Sequence, residues 1–295
     1  MQSTLRKKTR PYVYLLPLML ILLAFIFAPM LYSLYLSFHS YRLDMPYKGI
    51  QFIGLKNYDR FLFGGNFVNS LWVTLQFTVG AVSFELFLGF VIALVLCREF
   101  WGRRLVRTFI LTPMLVAGVV VGVMWTIILN DQFGVLNALV GMFGIPRQAW
   151  LTNSSLVLPA LILTDVWQAT PFVILVLVSG MQSLPHELYE AAEVDGASYF
   201  QKLIHLTIPL LKPLIMIVLT MRTMDAFRLM DRVLILTGGG PGTRSMVLSM
   251  FNYRETFMAF NLGYGAAISW IILMLIMILS ICLFRLSDME NTIVI

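Results

Sequence analysis

Residues Glu187–Pro213 read ELYEAAEVDGASYFQKLIHLTIPLLKP and form the longest polar interruption after the midpoint of an otherwise apolar chain. The pattern is that of two short helices joined by a hinge. Pro185 suits a first helical turn, where a missing N–H costs nothing. Leu188, Ala191, Ala192 and Val194 recur at helical spacing, with Glu187, Glu190 and Glu193 on the wetter side. Gly196 follows, free to adopt the left-handed backbone that ends a helix. Ser198 and Gln201 have the spacing of a capping box, which predicts the start of a second helix. Pro209 and Pro213 mark entry into the next apolar run. The segment reads as a docking element for something in the cytosol.

On either side of it the chain is built for a bilayer. Of its 295 residues 59% are hydrophobic and 12% charged, against ~25% charged in an average soluble domain. A net charge of +6 does not call for a nucleic acid, because the basic residues flank apolar runs as the positive-inside rule requires. Crossing a bilayer takes ~20 apolar residues, and six such spans are expected, at about 12–38, 70–96, 108–129, 156–181, 209–236 and 262–286. Residues 1–11 form a basic cytosolic N-terminus, 12–286 one membrane domain with its docking loop at 182–213, and 287–295 a cytosolic tail. The fold class is an all-α, polytopic membrane protein with both ends in the cytosol. Eleven Lys and Arg then fall in cytosolic segments and seven in outer ones, a bias of the right sign that the docking loop reinforces. The first apolar run is too long for a cleavable signal peptide, and no small-residue cleavage site follows it.

The docking loop also carries a family resemblance. Glu190-Ala191-Ala192, Asp195-Gly196-Ala197-Ser198 and Leu206-Thr207-Ile208-Pro209 resemble the EAA loop of ABC-importer permeases. The continuation Leu210-Leu211-Lys212-Pro213 is similar to the carbohydrate branch of that family. Phe52–Tyr58, Arg222–Arg228, the outer turn Leu236–Gly242, Asn252–Arg254 and Asn261–Gly265 extend the likeness; Ile208 stands where the family has Leu. The resemblance implies a compact six-span permease of type I importer architecture, in a bacterial or archaeal cytoplasmic membrane. Its implied partners are a second homologous permease, two ATPase subunits and an extracytoplasmic substrate-binding protein. Glu187, Glu190, Ala191, Ala192, Asp195, Gly196, Ala197 and Pro209 are the implied ATPase-coupling residues. The chain itself is expected to hold no cofactor and no metal, with ATP and Mg²⁺ bound by the ATPase subunits.

The fifth span contains Arg222, Asp225, Arg228, Asp231 and Arg232, which on one helix fall on about half its circumference. An ionised side chain at a helix centre costs ~2.5–3.5 kcal/mol, so these residues face protein or a wet cavity. Two roles are open to them: i,i+3 pairs (Asp225–Arg228, Arg228–Asp231) that tie the span to its neighbours, or groups lining a substrate path. Asp165, Trp167 and Gln168 in the fourth span, with Thr170, offer the flat ring and polar rim that suit a sugar, and Asn252 is a further path residue. The expected substrate is a di- or oligosaccharide, a polyol or a sugar derivative. The excess of Arg over Asp leaves open an anionic sugar or glycerol phosphate. An ion-coupled secondary transporter using the fifth-span carboxylates as a proton relay is the rival, and a membrane scaffold or sensor another.

Nothing in the chain argues for chemistry of its own. No Walker motif occurs, and the Gly-rich run Gly238–Gly242 has no Lys-Ser or Lys-Thr after it. His39, His186 and His205 are scattered, and no HExxH, GxSxG or paired-carboxylate pattern is present. Cys97 and Cys282 suggest neither a disulfide framework nor a metal site. The expected role is translocation, not catalysis.

Overall fold

The computed structural model describes residues 15–291, with side chains through residue 285; the basic N-terminal segment, the start of the first expected span and residues 292–295 lie outside the described residues. In chain order, α1 (Leu15–Ser37) leads through a hairpin (β1, His39–Ser40; β2, Gln51–Phe52) and α2 (Lys56–Phe63) into the long α3 (Asn66–Cys97). Next come α4 (Arg103–Leu115), α5 (Gly118–Ile128), the short α6 (Val135–Gly141) and α7 (Val157–Gln182). The short helix α8 (His186–Val194) precedes α9 (Tyr199–Phe227), α10 (Asp231–Leu236), α11 (Leu248–Tyr253) and α12 (Leu262–Asn291). Among the described residues five helices are long and apolar enough to cross a membrane, and the bent pair α4–α5 makes a sixth.

Two of the long helices absorb a proline in the same way. A proline inside a helix removes one i→i−4 hydrogen bond and crowds the preceding turn. Ahead of Pro29 in α1 and of Pro209 in α9, the helix widens into a five-residue π stretch, Leu23–Phe27 and Leu203–Thr207 respectively, each ending two residues before the proline. The widened turn lets both helices continue, so α9 begins at Tyr199 rather than at the proline.

The chain resolves into two compact units. Of the described residues, the first holds 15–66 and 252–273. Its hairpin pairs His39 with Phe52 and Ser40 with Gln51, and Asn57 Nδ2 donates to the carbonyls of Ser37 and His39, 2.9 Å each. Gly263 N–H donates to Tyr41 O at 3.1 Å, and the Arg60 guanidinium lies 4.2 Å from the centre of the Tyr264 ring.

The second unit holds residues 67–251 and 274–291. Its apolar centre joins Ala93 and Leu96 of α3, Val173, Ile174, Leu177 and Val178 of α7, and Val218 of α9. Lipid tails are as apolar as these side chains, so close packing rather than exclusion of water holds the three helices together.

Two expected spans are interrupted. The third, expected as one helix over 108–129, is broken at Val116–Ala117 into α4 and α5, which are bent by 102°. Pro113 lacks a donor for the ladder and Ala117 is extended (φ −60°, ψ 140°), which ends one helix and starts the next. The fifth, expected over 209–236, stops at Phe227, and a separate helix begins at Asp231. The fifth-span charges therefore do not lie on one continuous helix.

Candidate functional site

A buried ionic network occupies the second unit. From α9, Arg222 reaches α3 and grips Glu85 with two parallel bonds, Nε to Oε2 at 2.7 Å and Nη2 to Oε1 at 3.0 Å. Its Nη2 also donates to Asp165 Oδ2 on α7 at 3.3 Å, and its Nη1 to Asp225 Oδ2 at 3.4 Å. Asp225 Oδ1 accepts from Arg228 at 3.0 Å, and Arg232, at the start of α10, pairs with Asp165. Glu85, Asp165 and Arg222 are buried, whereas Asp225 and Arg228 are exposed on the isolated chain. The planar fork of arginine suits such bidentate contacts, and a buried charge that loses its partner costs ~3–5 kcal/mol.

Relative to the sequence reading, the Asp225–Arg228 pair is formed and the Arg228–Asp231 pair is not. Asp231 instead accepts the backbone N–H of Arg232 at 2.9 Å. The three arginines meet three carboxylates, Glu85, Asp165 and Asp225. The guanidinium surplus that motivated an anionic substrate is thereby neutralised within the chain.

The two helix breaks converge on α7. Gln168 Nε2 donates to Val116 O, at the α4–α5 break, at 2.7 Å. Three residues earlier, Asp165 holds Arg232, just beyond the α9–α10 break. Helices α5 and α10 pack closely on each other, and Gly118 makes this possible: a Cβ there would sit 1.8 Å from Asp231 Oδ2. The α5–α10 pair thus hangs from the membrane core by two interruptions, each clasped by a polar side chain of α7. Trp167 meets Trp125 of α5 edge to face, 6.0 Å between ring centres. Trp125 Nε1, Gln168 Oε1 and Thr170 Oγ1 are buried with no hydrogen-bond partner among the described residues. Asn252 lies in the other unit, donating to Ser269 Oγ at 2.8 Å and accepting from Thr256 at 3.1 Å.

The helix–hinge–helix segment expected to dock is built from local signals. Pro185 caps α8 from one position outside the helix, in extended geometry. At the other end Gly196 takes φ +78°, its N–H donates to Glu193 O, and the Ala197 N–H returns to Ala192 O. These two bonds complete a Schellman C-cap. Ser198 and Gln201 form the reciprocal capping box that opens α9. Glu193 pairs with Lys202 across the hinge, and this bond holds the exposed Glu193 carboxyl below its ordinary pKa. Tyr189 OH and Thr207 Oγ1 lie 2.9 Å apart, which ties α8 to the π stretch of α9.

Glu187, Glu190, Ala191, Asp195, Gly196 and Pro209 are exposed, while Ala192 and Ala197 are half-buried. The apolar side of α8 is not folded away: Val194 is 88% exposed, and Phe200, just past the hinge, is 70% exposed. Sequence reasoning missed Glu85 and the Tyr189–Thr207 bond. Glu85 had a signal, as the one charged residue in the 32 of α3, and a lone acid in a membrane helix demands a partner.

The family model for the binding-protein-dependent transport system inner membrane component matches residues 85–289. The trehalose/maltose transport system permease protein MalF of Thermococcus litoralis is 38% identical over 91% of this chain and 90% of its own. The trehalose transport system permease protein SugA of Mycobacterium tuberculosis is 35% identical over 92% and 86%. A crystal structure of a bacterial alginate ABC transporter, in complex with an alginate pentasaccharide-bound periplasmic protein, contains a chain that superposes with a TM-score of 0.82. That chain is 20% identical, with 97% of this chain and 96% of that one covered. The chain is a multi-pass helical membrane protein with a buried ionic network and an exposed helix–hinge–helix segment. The chain belongs to the family of inner membrane components of binding-protein-dependent transport systems.

Proposed function

We propose that this chain is a permease subunit of an ATP-driven importer for a neutral carbohydrate, of the trehalose and maltose type. A second permease, two ATPase subunits and an extracytoplasmic binding protein complete the system. ATP and Mg²⁺ belong to the ATPase subunits, and this chain performs no hydrolysis. The observation that carries the reading is the helix–hinge–helix element, which presents Val194 and Phe200 to the cytosol and is braced on a membrane-spanning helix through Tyr189–Thr207. The two sugar-permease relatives support the substrate class. The internal neutralisation of Arg222, Arg228 and Arg232 favours a neutral sugar over an anionic one.

The geometry supplies a mechanism. An ATPase subunit gripping α8 pulls on the base of α9 at Thr207. Arg222 lies fifteen residues further along the same helix, roughly 22 Å away at ~1.5 Å per residue. A rigid helix carries that displacement to the Glu85–Arg222–Asp165 cluster, where Asp165 also holds the α10 side of the second break. Motion of α9 against α7 thus repositions the α5–α10 pair and alternates access to the path. Exposed Asp225 and Arg228 cannot face lipid as charges, so that face belongs to the path or to the second permease.

The test is uptake of radiolabelled trehalose, maltose and glycerol phosphate by cells carrying the whole system, with and without this chain. Disaccharide uptake is expected to require the chain, to stop on ATP depletion, and to survive a protonophore when ATP is maintained. Chain-dependent uptake of glycerol phosphate alone would overturn the neutral substrate. Collapse with the protonophore at constant ATP would overturn the ATP-driven reading.

A further inference from the structure

The elbow between α3 and α4 has a composition that neither the ionic network nor the docking element uses. It runs Arg98-Glu99-Phe100-Trp101-Gly102-Arg103-Arg104, with Arg107 one turn into α4. Gly102 takes a left-handed backbone (φ +83°) that ends the loop and caps α4. An open cavity of about 690 Å³ is lined by residues of this elbow and by Gln182, the last residue of α7. The elbow therefore sits at the cytosolic ends of two spans, at the depth where headgroups lie.

Three features point to one kind of ligand. First, Arg103, Arg104 and Arg107 have no carboxylate within ion-pair reach among the described residues, whereas every arginine of the membrane network is paired. Second, the three cluster on one side of α4, at 0°, 100° and 40° on a wheel of ~100° per residue, and Leu105 and Phe109 occupy the other side. Leu105 and Phe109, one turn apart, are 66% and 76% exposed. Third, Trp101 is 98% exposed, a state that water disfavours and the headgroup layer favours, since indole has an apolar body and a polar N–H. A basic face, an apolar face and an interfacial tryptophan together match an anionic amphiphile whose charge stays at the surface and whose chains run along the helix.

We infer that the α3–α4 elbow is a binding site for anionic phospholipid headgroups of the cytosolic leaflet, with Arg103, Arg104 and Arg107 as phosphate partners and Trp101 as anchor. The site has a route to the docking element: the Arg98 guanidinium lies 5.3 Å from the centre of the Tyr199 ring, at the start of α9. Lipid held at the elbow stabilises the neighbouring strut on which docking motions act. This inference rests on the membrane placement of the chain and not on its substrate.

The test is native mass spectrometry of the full chain, purified with its accompanying subunits in mild detergent and exposed to an equimolar mixture of phosphatidylglycerol and phosphatidylethanolamine. Wild type is expected to retain phosphatidylglycerol preferentially. Preference should fall by about fivefold for each arginine neutralised across Arg103→Gln, Arg104→Gln and Arg107→Gln. Arg244→Gln, in an outer loop, should leave it unchanged. If the triple variant does not accumulate, Arg104→Gln alone and the wild-type measurement still decide. Equal retention of both lipids by wild type overturns the proposal. So does a variant that keeps its lipid preference while losing its companion subunits, which would make the elbow a protein interface.

Discussion

The membrane core and the docking element each invert the usual distribution of side chains, in opposite senses. The core buries charge: Glu85, Asp165 and Arg222 sit among apolar helices. The docking element exposes grease: Val194 and Phe200 stand out in a polar, cytosolic segment. The core inversion is complete within the chain, because each buried charge finds its counter-charge on another helix. The docking inversion is incomplete, because the described residues provide nothing to cover Val194 and Phe200. On the proposed function, the satisfied anomaly holds the membrane helices together and the unsatisfied one meets the ATPase subunit.

The sharpest way to break this contrast is Arg222→Ala. It leaves Glu85 buried without its bidentate partner, and a loss of ~3–5 kcal/mol is expected. Membrane yield and the unfolding temperature in detergent should both fall, and adding Glu85→Ala should restore part of the loss. Equal stability of Arg222→Ala and wild type would mean that the network does not hold the core. Phe200→Asp should behave oppositely, leaving the unfolding temperature unchanged while weakening co-purification of the ATPase. Burial of such a side chain is worth ~1.5–3 kcal/mol, so roughly 10- to 100-fold in affinity is at stake.

A smaller effect is expected from Gly196→Val, which forces a β-branched residue into a left-handed backbone at ~1–2 kcal/mol. The protein should still insert, while substrate-stimulated ATP hydrolysis by the assembled complex declines; unchanged stimulation would remove the hinge from the coupling path. The smallest effect belongs to the exposed Glu193–Lys202 pair. Its carboxyl is held below the ordinary value, so the bond contributes at pH above the usual carboxylate range and is lost as pH falls through the lowered value. Hydrogen exchange at the start of α9, corrected for intrinsic rate, should lose protection on acidification in wild type, and Glu193→Gln should flatten that response.

These regions also differ in how far they could be read ahead of the structure. The helix–hinge–helix element was legible because its determinants are neighbours: Gly196 ends one helix, and Ser198 with Gln201 opens the next. The Asp225–Arg228 pair was legible for the same reason, being one turn of one helix. The helix breaks at Val116–Ala117 and after Phe227 were not: the first lies in a run apolar enough to read as a single span, and the second falls among the charges from Arg222 to Arg232, which a continuous helix would equally have accommodated in pairs. Glu85 stands 137 residues from Arg222, and no local pattern links them.

By itself, the sequence determined the multi-pass helical membrane class and the helix–hinge–helix geometry around Gly196, because hydropathy and capping act over one to a few helical turns. Only the tertiary structure decided which charges neutralise one another, where two spans break, and how the docking element is braced on α9. Those outcomes depend on which helices pack side by side, and a buried arginine takes its counter-charge from the nearest helix in space, whatever the distance along the chain.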